Sequence, residues 1–282
     1  MSLRSNLYCA LAVFLAGLVC ATPLRAQTNT PPDTATDAER FFTGYVKAVQ
    51  LIQSKKPQDA AITMRLLTEK LRASPWMEVA LLKHSELIDA TTPDVAMENY
   101  QTLHKRLETA PYFQGDAEHA RVFRAALQGA LDSGINRVRL RRIRESLACY
   151  FSRYSEYPES LAKLAILNYI DMADIRAAND RNFRYIPVGE RLKPSLSYQS
   201  YQLEPLVAEP FMVDSPRIEG TSLISDKPLK YAALIKIPNR IDSLRVTEDQ
   251  TLQGYFIGAI APGGAILCSY NRVLILPVTA EP

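Results

Sequence analysis

The chain has 282 residues, 47% of them hydrophobic and 22% charged, a balance that can fill a core and that excludes a fibrous or largely disordered polypeptide. The formal net charge of +3 falls by two, to +1, once Arg4 and Arg25 are assigned to a leader, so charge gives no support to a nucleic-acid or anionic-membrane partner. At roughly 100–200 residues per domain, the length allows one large domain or two small ones.

Residues 1–26 have the layout of a cleavable secretory signal. Arg4 supplies the positive start, Leu7 to Ala21 is apolar and uncharged, and Leu24-Arg25-Ala26 puts a small residue at the cut, predicted after Ala26. The apolar run is shorter than the ~20 residues of a comfortable membrane span, and no later stretch predicts one in the mature chain. Cys20 would be the anchor of a lipoprotein, but it follows Val19, larger than the residue such a site prefers. The implied localisation is periplasmic or secreted.

Residues 27–38 contain TNTPPDTATD and read as a polar linker. From 39 to 133 the pattern is helical, with apolar residues three and four apart and candidate helices at 38–54, 58–73, 76–89, 93–109 and 116–132. Pro57, Pro75, Pro93 and Pro111 punctuate them, as proline does at helix starts. Pro57 and Pro93 are 36 residues apart, as are Pro75 and Pro111. At that offset Ala60 meets Ala96, Met64 meets Tyr100, Leu67 meets Leu103, Lys70 meets Arg106, Leu71 meets Leu107, and Trp76 meets Tyr112. Trp76 therefore reads as a packing residue between hairpins. A period in the mid-thirties is the mark of stacked helical hairpins. The pattern resembles a tetratricopeptide-type repeat, although the tryptophan-leucine-glycine-tyrosine start of that family's first helix is missing.

A further helix, 136–154, is expected to continue from the repeats into the second half. Val138, Ile143, Leu147, Tyr150, Phe151 and Tyr154 form its apolar stripe. Arg137, Arg139, Arg141, Arg142 and Arg144 form a basic cluster, either a dock for an acidic partner or a solvated face paired with Asp132 and Glu145. Beyond Tyr154 the chain turns strand-like, with candidate strands at 183–186, 198–206, 229–237, 252–261 and 265–276. The last two flank Pro262-Gly263-Gly264 as a hairpin. The predicted fold class is α+β: antiparallel helical hairpins, then a long helix packed on a small antiparallel sheet.

Ser146-Leu147-Ala148-Cys149-Tyr150-Phe151-Ser152-Arg153-Tyr154, then Tyr157-Pro158, Ser160-Leu161 and Phe183-Arg184-Tyr185-Ile186-Pro187, resemble the soluble part of a type II secretion pseudopilin of the major type. The resemblance covers about 50 residues within 134–282 and implies a pilin-like fold. The prepilin cleavage junction and the Asp- and Gly-rich calcium loop of that family have no counterpart here, so filament assembly is not implied.

Candidate chemistry is sparse. His84, His104 and His119 read as solvated or capped helical histidines, with no metal-ligand spacing. Asp171 and Asp174, three apart, are either a carboxylate pair or residues of a helix end. Gly258 to Gly264 reads as a turn rather than a phosphate cradle. Cys149 and Cys268 are either a disulfide or two buried thiols. No catalytic, cofactor-binding or metal residue is predicted, and no cofactor. The implied function is an exported, non-catalytic protein-interaction or scaffold module of the bacterial cell envelope, associated with a secretion or pilus-type assembly. Its predicted partner is a protein or peptide on the concave face of the hairpins. An envelope enzyme with a site dispersed in sequence, and a purely structural envelope protein, are the other two classes.

Overall fold

Thr36 opens the first helix with a capping box: its hydroxyl accepts the Glu39 N–H at 3.3 Å, and the Glu39 carboxylate accepts the Thr36 N–H at 2.9 Å. The helix therefore begins inside the stretch read as linker. The computed structural model describes residues 36–278 apart from 115–116, 180, 193–194, 205–215, 228, 238–241, 253 and 270–271. The predicted signal peptide, the cut after Ala26, Cys20 and most of the linker lie outside the described residues.

The helices are α1 (Asp37–Gln53), α2 (Pro57–Lys70), α3 (Trp76–Ile88), α4 (Pro93–Thr109), the short α5 (Pro111–Gln114), α6 (Glu118–Tyr154) and α7 (Leu161–Ile166). Pro57 and Pro93 occupy the first turns of α2 and α4, where a missing N–H costs nothing. The helices predicted at 116–132 and 136–154 are one continuous α6 of 37 residues, about 55 Å long at 1.5 Å per residue. It ends where Ser155 turns left-handed (φ 56°), just before Tyr157-Pro158. The boundary drawn at 133/134 thus falls inside a helix, and 36–282 form one compact unit.

The strands are β1 (Arg184–Leu192), β2 (Ser195–Glu204), β3 (Arg217–Asp226), β4 (Leu229–Lys236), β5 (Leu244–Thr247), β6 (Thr251–Leu252), β7 (Tyr255–Ala261), β8 (Gly264–Ser269) and β9 (Arg272–Pro277). They form three antiparallel sheets, ordered β1-β2, β3-β4-β5 and β6-β7-β8-β9. The segment expected as one strand at 265–276 is a second hairpin, β8–β9. The fold class is α+β, with several small sheets where one was expected.

The four-stranded sheet is buried on both faces, which is why its strands read as nearly unbroken apolar runs. Alternate side chains serve different cores. Ala259, Ala261, Ile266, Cys268, Val273 and Ile275 meet the helices, among them Phe42 of α1 and Phe123 and Leu127 of α6. Ile257, Ile260, Ala265, Leu267 and Leu276 face Ile218, Ala233, Ile235 and Val246 of the three-stranded sheet. The register shift between Ile257 and Ala259 lets Gly258 lie against Phe123 and Cys268. The β7–β8 turn is as predicted, but the positive φ falls on Gly264 (154°), whose missing side chain makes room for Phe42 and the Leu276 carbonyl.

The part of α6 that packs on the four-stranded sheet is its first half, expected above as a separate helix at 116–132. Its second half faces a third core, where Leu140, Ile143, Leu147 and Tyr150 meet Leu161, Leu164, Ala177 and Phe183, with Tyr185 and Tyr201 of the β1-β2 ribbon alongside. One helix thus serves two cores. Among the described residues no helix is long and apolar enough to cross a membrane.

Candidate functional site

The chain segments that follow α2 and α4 frame a cleft. α2 stops at Lys70 and Leu71 leaves it extended (φ −78°, ψ 141°); α4 stops at Thr109 and Ala110 leaves it likewise (φ −67°, ψ 128°). Each turn then runs into a proline and an aromatic residue, Pro75-Trp76 and Pro111-Tyr112, the pairs matched at the 36-residue offset. The cleft, of about 450 Å³, is lined by Arg72 and Ser74 from the α2–α3 turn, by Arg106 and Thr109 from the end of α4, and by Ala110, Pro111 and Tyr112 beyond it. That volume is in the range of small-ligand sites.

The first turn is held by Asp37, at the start of α1. Its Oδ2 accepts the N–H groups of Arg72 at 2.8 Å and Ala73 at 2.6 Å. Burial alone would raise the Asp37 pKa, but these two bonds and the Arg40 guanidinium outweigh it and hold the carboxyl below its ordinary range. Arg72 itself is exposed, and its guanidinium has no ionic partner among the described residues.

Behind the cleft lies Glu78 of α3, fully buried. Its Oε1 accepts Nε and Nη2 of Arg106 at 3.0 and 2.7 Å, and the Ser74 hydroxyl at 2.9 Å. Its Oε2 has no hydrogen-bond partner among the described residues. Arg106 is therefore fixed by the edge facing Glu78 while its other N–H groups stay available. The Ser74 hydroxyl proton is directed to buried Glu78, and the exposed Thr109 hydroxyl donates to the Lys105 carbonyl of its own helix at 2.8 Å. Both oxygens keep lone pairs as acceptors.

Tyr112 connects the cleft to the sheet side. Its phenol lies 3.4 Å from His119 Nε2, and His119 Nδ1 pairs with Asp249 in the β5–β6 turn. Burial, then the negative charges of Glu248 and Asp249, push the Tyr112 phenol far up in pKa, so it remains protonated. Its ring meets Phe113 and Phe123 edge-on, while Trp76 packs on Phe41 and Phe42, so both aromatics pack between elements.

The other predicted residues are dispersed. Cys149 and Cys268 are both free: Cys149 is exposed on α6, off its apolar stripe, whereas Cys268 is buried under the sheet beside Phe123. A disulfide would have to bridge different cores. The arginine cluster is mostly turned inward. Arg137 pairs with Asp89 at 2.9 Å, Arg141 donates to the Asp89 carbonyl, and Arg142 joins Asp94 and Asp174, the latter at 2.8 Å. Arg139 lies 3.7 Å from the same Asp174. This ties α6 to α3, α4 and the 171–176 turn, so neither a docking surface nor simple pairing with Asp132 and Glu145 describes it. Asp171 and Asp174 lie in a turn rather than on a helix, and buried Asp174 is an ion-pair partner of arginine.

His84 is buried rather than solvated, its Nδ1 3.3 Å from the Asn99 amide, and burial followed by the Arg65 charge lowers its pKa. His104 is exposed beside Gln128 and Glu108. Among the described residues no three His, Cys, Asp or Glu side chains cluster as metal ligands. Apolar residues of α1 and α6, among them Phe42, Phe123 and Leu127, share one core with the four-stranded sheet. Arg72, Ser74, Glu78, Arg106 and Thr109 had no motif to announce them; the one signal was the 36-residue offset, which aligned the two turns. No family model, curated protein or solved structure matches the chain.

Proposed function

We propose that the chain is an exported, non-catalytic protein-interaction module of the bacterial cell envelope, working as residues 27–282 after loss of the signal peptide. The observation that carries this reading is the cleft between the two turns, whose guanidinium and hydroxyl groups are positioned by contacts behind them, as recognition sites require. On this reading α1–α2 and α3–α4 are tetratricopeptide-like repeats that bind at their turns, because the opposite side is occupied by the sheet. The pseudopilin-like part begins near Leu140 in α6, supported by the Tyr157-Pro158 break and the helix start at Leu161. It makes a secretion or pilus-type assembly the natural class of partner. The test is affinity capture from envelope extract with residues 27–282 at low and high salt, read by mass spectrometry. A reproducible partner is expected, and capture of nothing at either salt sinks the reading. Intact mass of the exported protein checks the cut after Ala26.

One contact favours an enzyme instead. The Ser74 hydroxyl donates to Glu78, as a nucleophile would to its base. Yet the same Oε1 also receives two N–H groups from Arg106, so its lone pairs are already engaged. Labelling of Ser74 by a fluorophosphonate, lost in Ser74→Ala, would restore the enzyme reading.

A further inference from the structure

We propose that the cleft between the two turns binds the carboxylate of an acidic peptide residue, gripped by Arg72 and Arg106. The assignment rests on the interaction-module reading and names what that module recognises. Arg106 meets the ligand with its orientation already set by Glu78, so little side-chain freedom remains to be lost on binding. Arg72 supplies the second positive charge, because Glu78 pairs with Arg106 while no described acid lies within ion-pair distance of the Arg72 guanidinium, Asp37 meeting its backbone N–H instead. Two guanidiniums from facing turns can each give N–H groups to one carboxylate.

The hydroxyls decide between a peptide and a simple anion. Ser74 and Thr109 have directed their protons to Glu78 and Lys105, so they face the cleft as acceptors. A phosphate ion, rich in oxygens and poor in donors, would set lone pairs against lone pairs. A peptide brings both parts: a carboxylate for the arginines and backbone N–H groups for the hydroxyl oxygens. The cavity of about 450 Å³ accommodates one such residue with its flanking amides.

The test is an amide-resolved NMR titration of the purified protein with acetyl-Ala-Glu-Ala-amide, its Gln analogue and inorganic phosphate. The Glu tripeptide is expected to shift the amides of 72–74 and 106–112, and to bind at least about tenfold more tightly than the Gln analogue. Phosphate should bind more weakly than the Glu tripeptide. Arg72→Glu should abolish the shifts and Arg72→Lys should weaken them, with the melting temperature of both variants unchanged. Equal binding of the two tripeptides, phosphate binding as tight as the Glu peptide, shifts that map elsewhere, or an Arg72→Glu protein that still binds would each overturn the proposal. Envelope capture repeated with Arg72→Glu separates the two readings. A partner retained by the variant overturns the cleft assignment and leaves the module standing; a partner lost supports the assignment. If the unmodified protein captures nothing, the module reading fails while the tripeptide titration still judges the cleft.

Discussion

Glu78 shows how much of this molecule is decided by single buried charges. A carboxylate with no solvent exposure is tolerable because Arg106 and Ser74 compensate one of its oxygens. Arg106→Met would strand that charge and is expected to cost about 3 kcal/mol in urea unfolding, while Glu78→Met combined with Arg106→Met should recover most of the loss. A stability equal to the parent protein in the single variant would show that the pair contributes nothing. His84 supplies a pH dependence. Its folded-state pKa lies below the ordinary value near 6.5, so the unfolded chain takes up the proton more readily. Stability is therefore complete above about pH 6.5 and declines as the pH falls through the folded value. Thermal melts between neutral and mildly acidic pH should show the decline, and His84→Gln should flatten it.

At the scale of elements, the prolines at helix starts and the Gly-rich hairpin were legible, because each is local chemistry. The length of α6 was only half legible. Ser133-Gly134 looks like the end of one helix, yet Gly134 is helical because the buried Tyr100 ring lies directly over it, leaving no room for a Cβ. A glycine required by a neighbour distant in sequence looks the same, residue by residue, as one that stops a helix. Gly134→Ala would raise helix propensity, but the clash is expected to win and destabilise the protein by about 1–3 kcal/mol, measured as a lower denaturation midpoint. A stabilised variant would mean that the ring moves aside. The arginine cluster was misleading for the same reason. Its partners Asp89, Asp94 and Asp174 lie on other elements, and spacing along one helix cannot show them. The cleft was the least legible feature, since Arg72, Ser74, Glu78 and Arg106 meet only after two turns are brought side by side.

Across the described residues, three apolar cores are joined by α6 and the four-stranded sheet. The two cysteines report on them separately. Cys149 should react with a maleimide in the native protein, whereas Cys268, buried and with its thiol pKa pushed up by burial, should react only when the helix–sheet core opens. Protection of both thiols, or of neither, would contradict the described packing. The seating of Phe42 against Gly263 and Gly264 has a consequence for biogenesis. The first helix closes on a hairpin made almost last, so this seam cannot form until residues 263–264 have been synthesised. A chain that stops short of its final hairpin leaves Phe42 without its seat, however completely the helices ahead of it have formed.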